Sequence, residues 1–191
     1  MASRRAGAKT YEQVGLAAWQ ATEKVNAELF TLTYGAIVRQ VLADYEDCVP
    51  EANAKLDAMG RSIGGRLIEE FNAKNEQQRC VDFRDTCETI AGVALRMFLG
   101  VGGHCADWNA DHTSCLVVME TNPLADFVEL PERYRDLSYG QMLCGVIVGA
   151  LEQVQTRATC EWEKDALRGG DGFAMRVTLV GQIDTPYPFD D

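Results

Sequence analysis

Apolar residues along this chain recur at steps of three and four over four stretches, the spacing that places side chains on one face of a helix. Glu28 to Tyr45 carries Leu29, Leu32 and Ala36 with Val38, Val41 and Leu42, which predicts a long core helix despite Thr31 and Thr33. Pro50 resets the chain, and Glu51 to Phe71 repeats the pattern through Leu56, Met59, Ile63, Leu67 and Phe71. Gly60 and Gly64 stand one turn apart in this second helix. Its charges, Glu51, Lys55, Asp57, Arg61 and Arg66, favour close packing in a water-exposed fold over pairing in a membrane. A third helix is expected to begin near Phe83, because Asp82 is a good N-cap with Asp85 three residues on, and to end at Gly100. Within it Phe83, Cys87, Ile90, Ala94 and Met97 alternate steps of four and three, so that face is expected to be buried. A fourth helix, about Tyr139 to Arg157, holds a second small-residue pair, Gly145 and Gly149, and is expected to lie deep among its neighbours.

Strand signals sit between and after these helices. Leu116-Val117-Val118-Met119 within Ser114 to Glu120 is an apolar run of strand length, and Asn122-Pro123 turns it. Phe127 to Leu130, bordered by prolines, reads as an edge strand or an extended connector. Cys160 to Ala166 and Met175 to Ile183 flank Gly169-Gly170-Asp171-Gly172 and read as a β-hairpin. Helices first and strands later predict an α+β fold with a mostly antiparallel sheet.

Composition narrows the class. With 191 residues, 47% hydrophobic and 25% charged, the chain is expected to form one domain with a sizeable core. Residues 1–26 read as an N-terminal extension: 1 to about 10 as disordered, and Tyr11 to Ala21, with Trp19, as either an extra amphipathic helix or nothing ordered. The domain itself is placed at 27–184. Residues 185–191 read as an extended acidic tail shaped by Pro186 and Pro188. A formal net charge of −11 disfavours nucleic acid as a partner. Seven cysteines without paired spacing suit a reducing, cytoplasmic setting rather than a secreted disulfide framework. Val14 to Trp19 is too short for a signal core, and the longest apolar run, Met142 to Leu151, falls short of the roughly 20 residues that span a bilayer. Ala2 and the ending Pro-Phe-Asp-Asp match no myristoylation or prenylation signal.

One cysteine stands apart from the other six. Cys80, in Arg79-Cys80-Val81-Asp82-Phe83-Arg84, precedes the third helix, so it is expected at the positive end of that helix with Arg79 and Arg84 close by. Such a setting favours a nucleophilic thiol. The same local pattern also fits a reduced core cysteine with no chemistry.

Four blocks extend the reading. Glu28 to Ala36 (Glu-Leu-Phe-Thr-Leu-Thr-Tyr-Gly-Ala), Arg79-Cys80-x-Asp82-Phe83-Arg84, Asn122-Pro123-Leu124-x-Asp126-Phe127-Val128-Glu129-Leu130-Pro131 and Leu143-Cys144-Gly145-Val146-x-x-Gly149-Ala150-Leu151-Glu152 lie in order along the chain. Together they resemble the Bet-three subunit family of the TRAPP (transport protein particle) vesicle-tethering complex, over about Glu28 to Ile183. The resemblance implies a non-catalytic scaffold with helices on one side of the sheet, acting in transport between endoplasmic reticulum and Golgi. It also implies pairing with other TRAPP small subunits, or as a homodimer when alone. In the assembled complex it implies a share in the platform for nucleotide exchange on a Rab-family GTPase. The implied localisation is cytoplasmic, with peripheral membrane association at the cis-Golgi and endoplasmic reticulum.

The family's chemistry, carried over, is an S-palmitoyl group on Cys80 with Arg79 beside it, its chain in an internal apolar tunnel. Ala94 matches one tunnel-wall residue, and the small residues Cys87 and Ala91 neighbour it along the helix. Burial contributes about 0.8 kcal/mol per methylene, so a long chain gains on the order of 10 kcal/mol inside. Some features depart from the resemblance. The N-terminal sequence is longer than the family leads one to expect, the tail is its own, and the 102–113 loop diverges. That loop and the residue just beyond it carry His104, Cys105, His112 and Cys115, a set with zinc-ligand chemistry, although the adjacent His104 and Cys105 chelate awkwardly, and no metal site is assigned. Two other readings remain: a cysteine-dependent acyl hydrolase or transferase with Cys80 as nucleophile and His104 or His112 as base, and a lipid-binding module that uses the tunnel for exchangeable ligands.

Overall fold

The computed structural model describes residues 10–75 and 80–183. Among the described residues six α-helices run in chain order: α1 (Tyr11–Ala21), α2 (Ala27–Asp44), α3 (Val49–Lys74), α4 (Phe83–Thr89), α5 (Leu95–Leu99) and α6 (Gln141–Gln153). A π-helical turn, Ile90–Ala94, joins α4 to α5 into one continuous stretch. Four strands, β1 (Gly103–Ala106), β2 (Ser114–Met119), β3 (Thr156–Asp165) and β4 (Phe173–Gln182), form a sheet of order β1-β2-β4-β3 with every pair antiparallel. The α+β architecture expected from the pattern is therefore observed.

The two glycine pairs face each other. A Cβ added at Gly60 would collide with the Met142 carbonyl oxygen, and one at Gly64 with the Val146 carbonyl. In return, Gly145 presses on the Asp57 carbonyl and Gly149 on the Arg61 carbonyl. Helices α3 and α6 thus meet backbone to backbone. The buried line of α3 is accordingly Ala52, Leu56, Gly60 and Gly64, with Phe71 farther on. Ile63, expected inside, is 39% exposed, because the glycines take the centre of the face and push the larger side chains to its rim. Arg61 closes the outer edge with ion pairs to Asp57 (2.7 Å) and Glu152 (2.6 Å).

Helix α2 buries Val38, Val41 and Leu42 as its pattern predicts, but its first turns present a different face inward. Thr31, Tyr34, Val38, Val41 and Leu42 are buried, whereas Leu29 and Leu32 are exposed. Hydrogen bonds decide this in the first turns: Thr31 donates to the Pro123 carbonyl (2.8 Å), and the Tyr34 hydroxyl donates to the Tyr139 carbonyl (2.5 Å).

Other boundaries shift for local reasons. Helix α6 stops at Gln153 rather than Arg157, since Gln155 adopts a left-handed turn (φ 60°) and β3 starts at once. Phe127 to Leu130 is a connector, with Phe127 at φ 63° and exposed. Strand β1 carries no strand signal in its sequence, because Gly103-His104-Cys105-Ala106 has no apolar alternation; its pairing with β2 is what makes it a strand. The predicted disorder at residues 1–9 and the tail at 185–191 lie outside the described residues.

Two neighbouring glycines test the helix contact with opposite signs. Gly64→Ala is expected to cost about 1–3 kcal/mol and to lower the melting temperature by roughly 5–10 °C. Gly65→Ala, where an added Cβ would come no closer than 3.6 Å to the Gln153 side chain, is expected to raise it slightly through helix propensity. Thermal unfolding of both variants checks this, and equal melting temperatures would remove the backbone contact as the limiting feature.

Candidate functional site: a thiol at the head of a buried helix

Asp82 caps α4 as its sequence suggests, its carboxylate accepting from the Asp85 backbone N–H (2.8 Å). Asp85 answers by accepting from the Val81 N–H (2.9 Å). These reciprocal bonds fold the Cys80–Asp82 segment back over the first turn. Cys80 is an exposed residue, yet its Sγ lies 3.5 Å from Thr89 Oγ1, and Thr89 is only 4% exposed. The thiol is reachable from solvent but aimed at a buried hydroxyl.

The stretch 83–99 is sandwiched rather than amphipathic. Cys87, Ala91 and Leu95 face the sheet in a core shared with Cys115, Val117, Met175 and Val177. Val93 and Met97 face the other way, toward Phe71 of α3 and Val14 and Ala18 of α1. Ala94 packs with this second group, so Ala94 stands on a different side of the helix from Cys87 and Ala91. The π-turn lies where the two sides exchange. Cys87 and Ala91 are fully buried. A cleft of about 440 Å³ beside the segment is open and polar rather than an apolar tunnel, lined by Tyr11, Asp82, Arg84, Asp85 and Glu88. Arg79 lies outside the described residues. Arg84 sits over the Trp108 ring, 5.7 Å from its centroid.

The buried thiols differ from Cys80. Interaction with the neighbouring Cys115 thiol, together with burial, pushes the Cys87 and Cys105 thiols far above their ordinary range. Cys160 is likewise raised by its bond to Cys144 and by burial. Only Cys48 and Cys80 are exposed among the described cysteines. His104 lies in β1, and His112 stacks edge-on against Trp108 at 5.8 Å. Among the described residues neither histidine hydrogen-bonds to Cys80, and no group of three or more His, Cys, Asp or Glu is arranged to hold a metal ion. No described helix is long and apolar enough to cross a membrane.

Helix α1 completes the site. Thr10 and Gln13 form a capping box at its start. Gly15 rests on the backbone of Gly92 in the π-turn, and Trp19 lies against Gly100, whose φ of 71° terminates α5. The Tyr11 hydroxyl donates to the second oxygen of Asp85. Burial first, and this bond second, push that hydroxyl well above the ordinary tyrosine range, so it remains a donor. Sequence reasoning missed Tyr11 and Thr89. The one signal for Thr89 is a hydroxyl interrupting an otherwise apolar face; Tyr11 gave none.

Residues 30–178 match the model for transport protein particle (TRAPP) components. The chain belongs to the TRAPP family. Trafficking protein particle complex subunit 3 of Dictyostelium discoideum is 47% identical over 181 residues, covering 94% of this chain and 97% of the relative. The transport protein particle subunit bet3 of Schizosaccharomyces pombe is 44% identical over 182 residues, with the same coverage of each. A crystal structure of a trafficking protein particle complex subunit 3 from Naegleria fowleri, covalently bound to palmitic acid, matches with a TM-score of 0.80 and 45% identity. That match covers 85% of this chain and all of the other. A contiguous match over 94% of this chain leaves too few residues aside to omit α1, so these TRAPP relatives extend over it. The expectation that the N-terminal sequence is longer than the family carries is corrected accordingly.

Thiol accessibility is directly measurable. In native, unacylated protein, a maleimide is expected to label Cys48 and Cys80 quickly and Cys105 slowly. Cys87, Cys115, Cys144 and Cys160 are expected to react only after unfolding. Peptide mass spectrometry reads the order, and rapid native labelling of Cys87 would contradict the packing described.

Proposed function

We propose that this chain is a non-catalytic scaffold subunit of a TRAPP-like tethering complex in endoplasmic reticulum to Golgi vesicle transport. In that role it contributes to the platform for nucleotide exchange on a Rab-family GTPase, carries an S-palmitoyl chain on Cys80, and works in the cytoplasm at the surface of those membranes. The observation that carries the proposal is the likeness, at 45% identity, to a subunit 3 structure covalently bound to palmitic acid, together with a Cys80 thiol that is exposed but directed inward. Room for the chain requires side chains along the 83–99 stretch to move apart, and the small residues Cys87, Ala91 and Ala94 are where that costs least. About 10 kcal/mol from burying the chain offsets such a rearrangement. A chain held inside in this way is no membrane anchor.

The exposed face of α2 supports pairing. Leu29, Leu32 and Ala36 follow steps of three and four along α2, and Leu29 and Leu32 are 64% and 65% exposed. An apolar stripe of this kind suits a second copy of the same fold when the subunit is alone, with a related TRAPP small subunit in its place in the complex.

Intact mass spectrometry of protein from a eukaryotic host is expected to find an acyl adduct that hydroxylamine removes and that Cys80→Ser abolishes. Cys80→Ser is also expected to melt several degrees lower. An absent adduct with an unchanged melting temperature would end the acylation reading. For pairing, the double variant Leu29→Asp, Leu32→Asp is expected to convert a dimer to a monomer by light scattering while its melting curve, at equal concentration, stays cooperative. A dimer that survives both charges would place the interface elsewhere.

A further inference from the structure

We infer that Tyr11 is a positioning residue for Cys80: by hydrogen-bonding to Asp85 it clamps helix α1 onto the Cys80–Asp82 segment and limits access to the sulfur. The part of this that concerns a thioester rests on the acylation proposed above; the part that concerns the free thiol does not.

Three observations carry the inference. The first is how little holds Val81, in the middle of the segment, among the described residues. Val81 is 90% exposed, so its side chain contributes almost no packing, and among the described residues its backbone N–H is held by a bond to Asp85 Oδ2. The second is that Asp85 serves two donors at once, the Val81 N–H on one oxygen and the Tyr11 hydroxyl, 74 residues away, on the other. Bonds to a carboxylate are about twice as strong as neutral ones, and a partner on one oxygen fixes where the other points. The third is that Tyr11 is itself held at a distance from the site. Gly15 on Gly92 and Trp19 on Gly100 seat α1 independently of the Cys80 segment, so Tyr11 arrives as the end of a fixed rod. Tyr11 also lines the open polar cleft, together with Asp82 and Asp85 of the clamp.

Losing the hydroxyl therefore frees the Asp85 carboxylate to rotate, releases the Val81 N–H and lets Cys80 swing away from Thr89. The chemistry this changes is attack at or by the sulfur. With the free thiol, that is the rate of alkylation. With a thioester, it is attack of hydroxylamine on the acyl carbon, which breaks the C–S bond and returns the Cys80 thiol as an acyl hydroxamate leaves.

The test uses the full chain carrying Cys48→Ser, so that Cys80 is the exposed thiol, with Tyr11→Phe and, separately, Asp85→Asn. N-ethylmaleimide alkylation of unacylated protein is followed at Cys80 and, as a gauge of general loosening, at Cys105. Protein treated with palmitoyl-coenzyme A is then followed for release by hydroxylamine. Tyr11→Phe is expected to raise both the alkylation and the release rates at Cys80 about tenfold, the effect of one charge-assisted bond, while Cys105 keeps its rate. Asp85→Asn is expected to act in the same direction. Unchanged rates at Cys80, or a parallel rise at Cys105, overturn the clamp. If palmitoyl-coenzyme A leaves no adduct on unsubstituted protein, the acylation reading fails, and the alkylation comparison still decides the clamp.

Discussion

The contact that the remaining structure depends on is the meeting of α3 and α6 through bare backbone. Gly60 and Gly64 against Gly145 and Gly149 bring two helices closer than any side chain permits, and α6 can then press its other face on β3. From there the order of the fold follows. Helix α3 runs on to Phe71, which reaches the cluster around Val93 and Met97, so the same helix that is locked to α6 also sets the position of the 83–99 stretch. The Cys80 segment is placed at the end of this chain of contacts.

Chemical individuality among the cysteines comes from where that framework puts them. Cys87, Cys115, Cys144 and Cys160 are fixed in the interior, and the neighbouring Cys115 thiol, with burial, further suppresses ionisation of Cys87 and Cys105. Cys80 lies outside that interior because the Asp82 cap starts the helix after it and turns the chain outward. A cap, usually valued for about 1 kcal/mol of helix stability, here separates a reactive position from a packed one.

Features written in local residue types were legible in the sequence. The Asp82 cap, both glycine pairs, the Gly169–Gly172 turn and the strand after Ser114 each depend on chemistry within a few residues, and each is found in place. What was not legible depends on partners far along the chain. Leu29 and Leu32 look like core by spacing, but Thr31 and Tyr34 win the inward face through acceptors near residues 123 and 139. The 83–99 face splits because α1 covers its second side and a π-turn alters its phase, neither of which a 3.6-residue period encodes. Of the site, Cys80 and its capping aspartate could be read directly, whereas Thr89 and Tyr11 belong to it only through the fold.

The glycine contact also carries a genetic consequence. Every obstacle to a larger residue at Gly60, Gly64, Gly145 or Gly149 includes a main-chain carbonyl oxygen, and every amino acid has one. No exchange of side chains on the facing helix makes room. Substitutions at these four positions should therefore lack the second-site suppressors that ordinary core mutations acquire by trimming a neighbour, and relief is left to changes that slide one whole helix along the other.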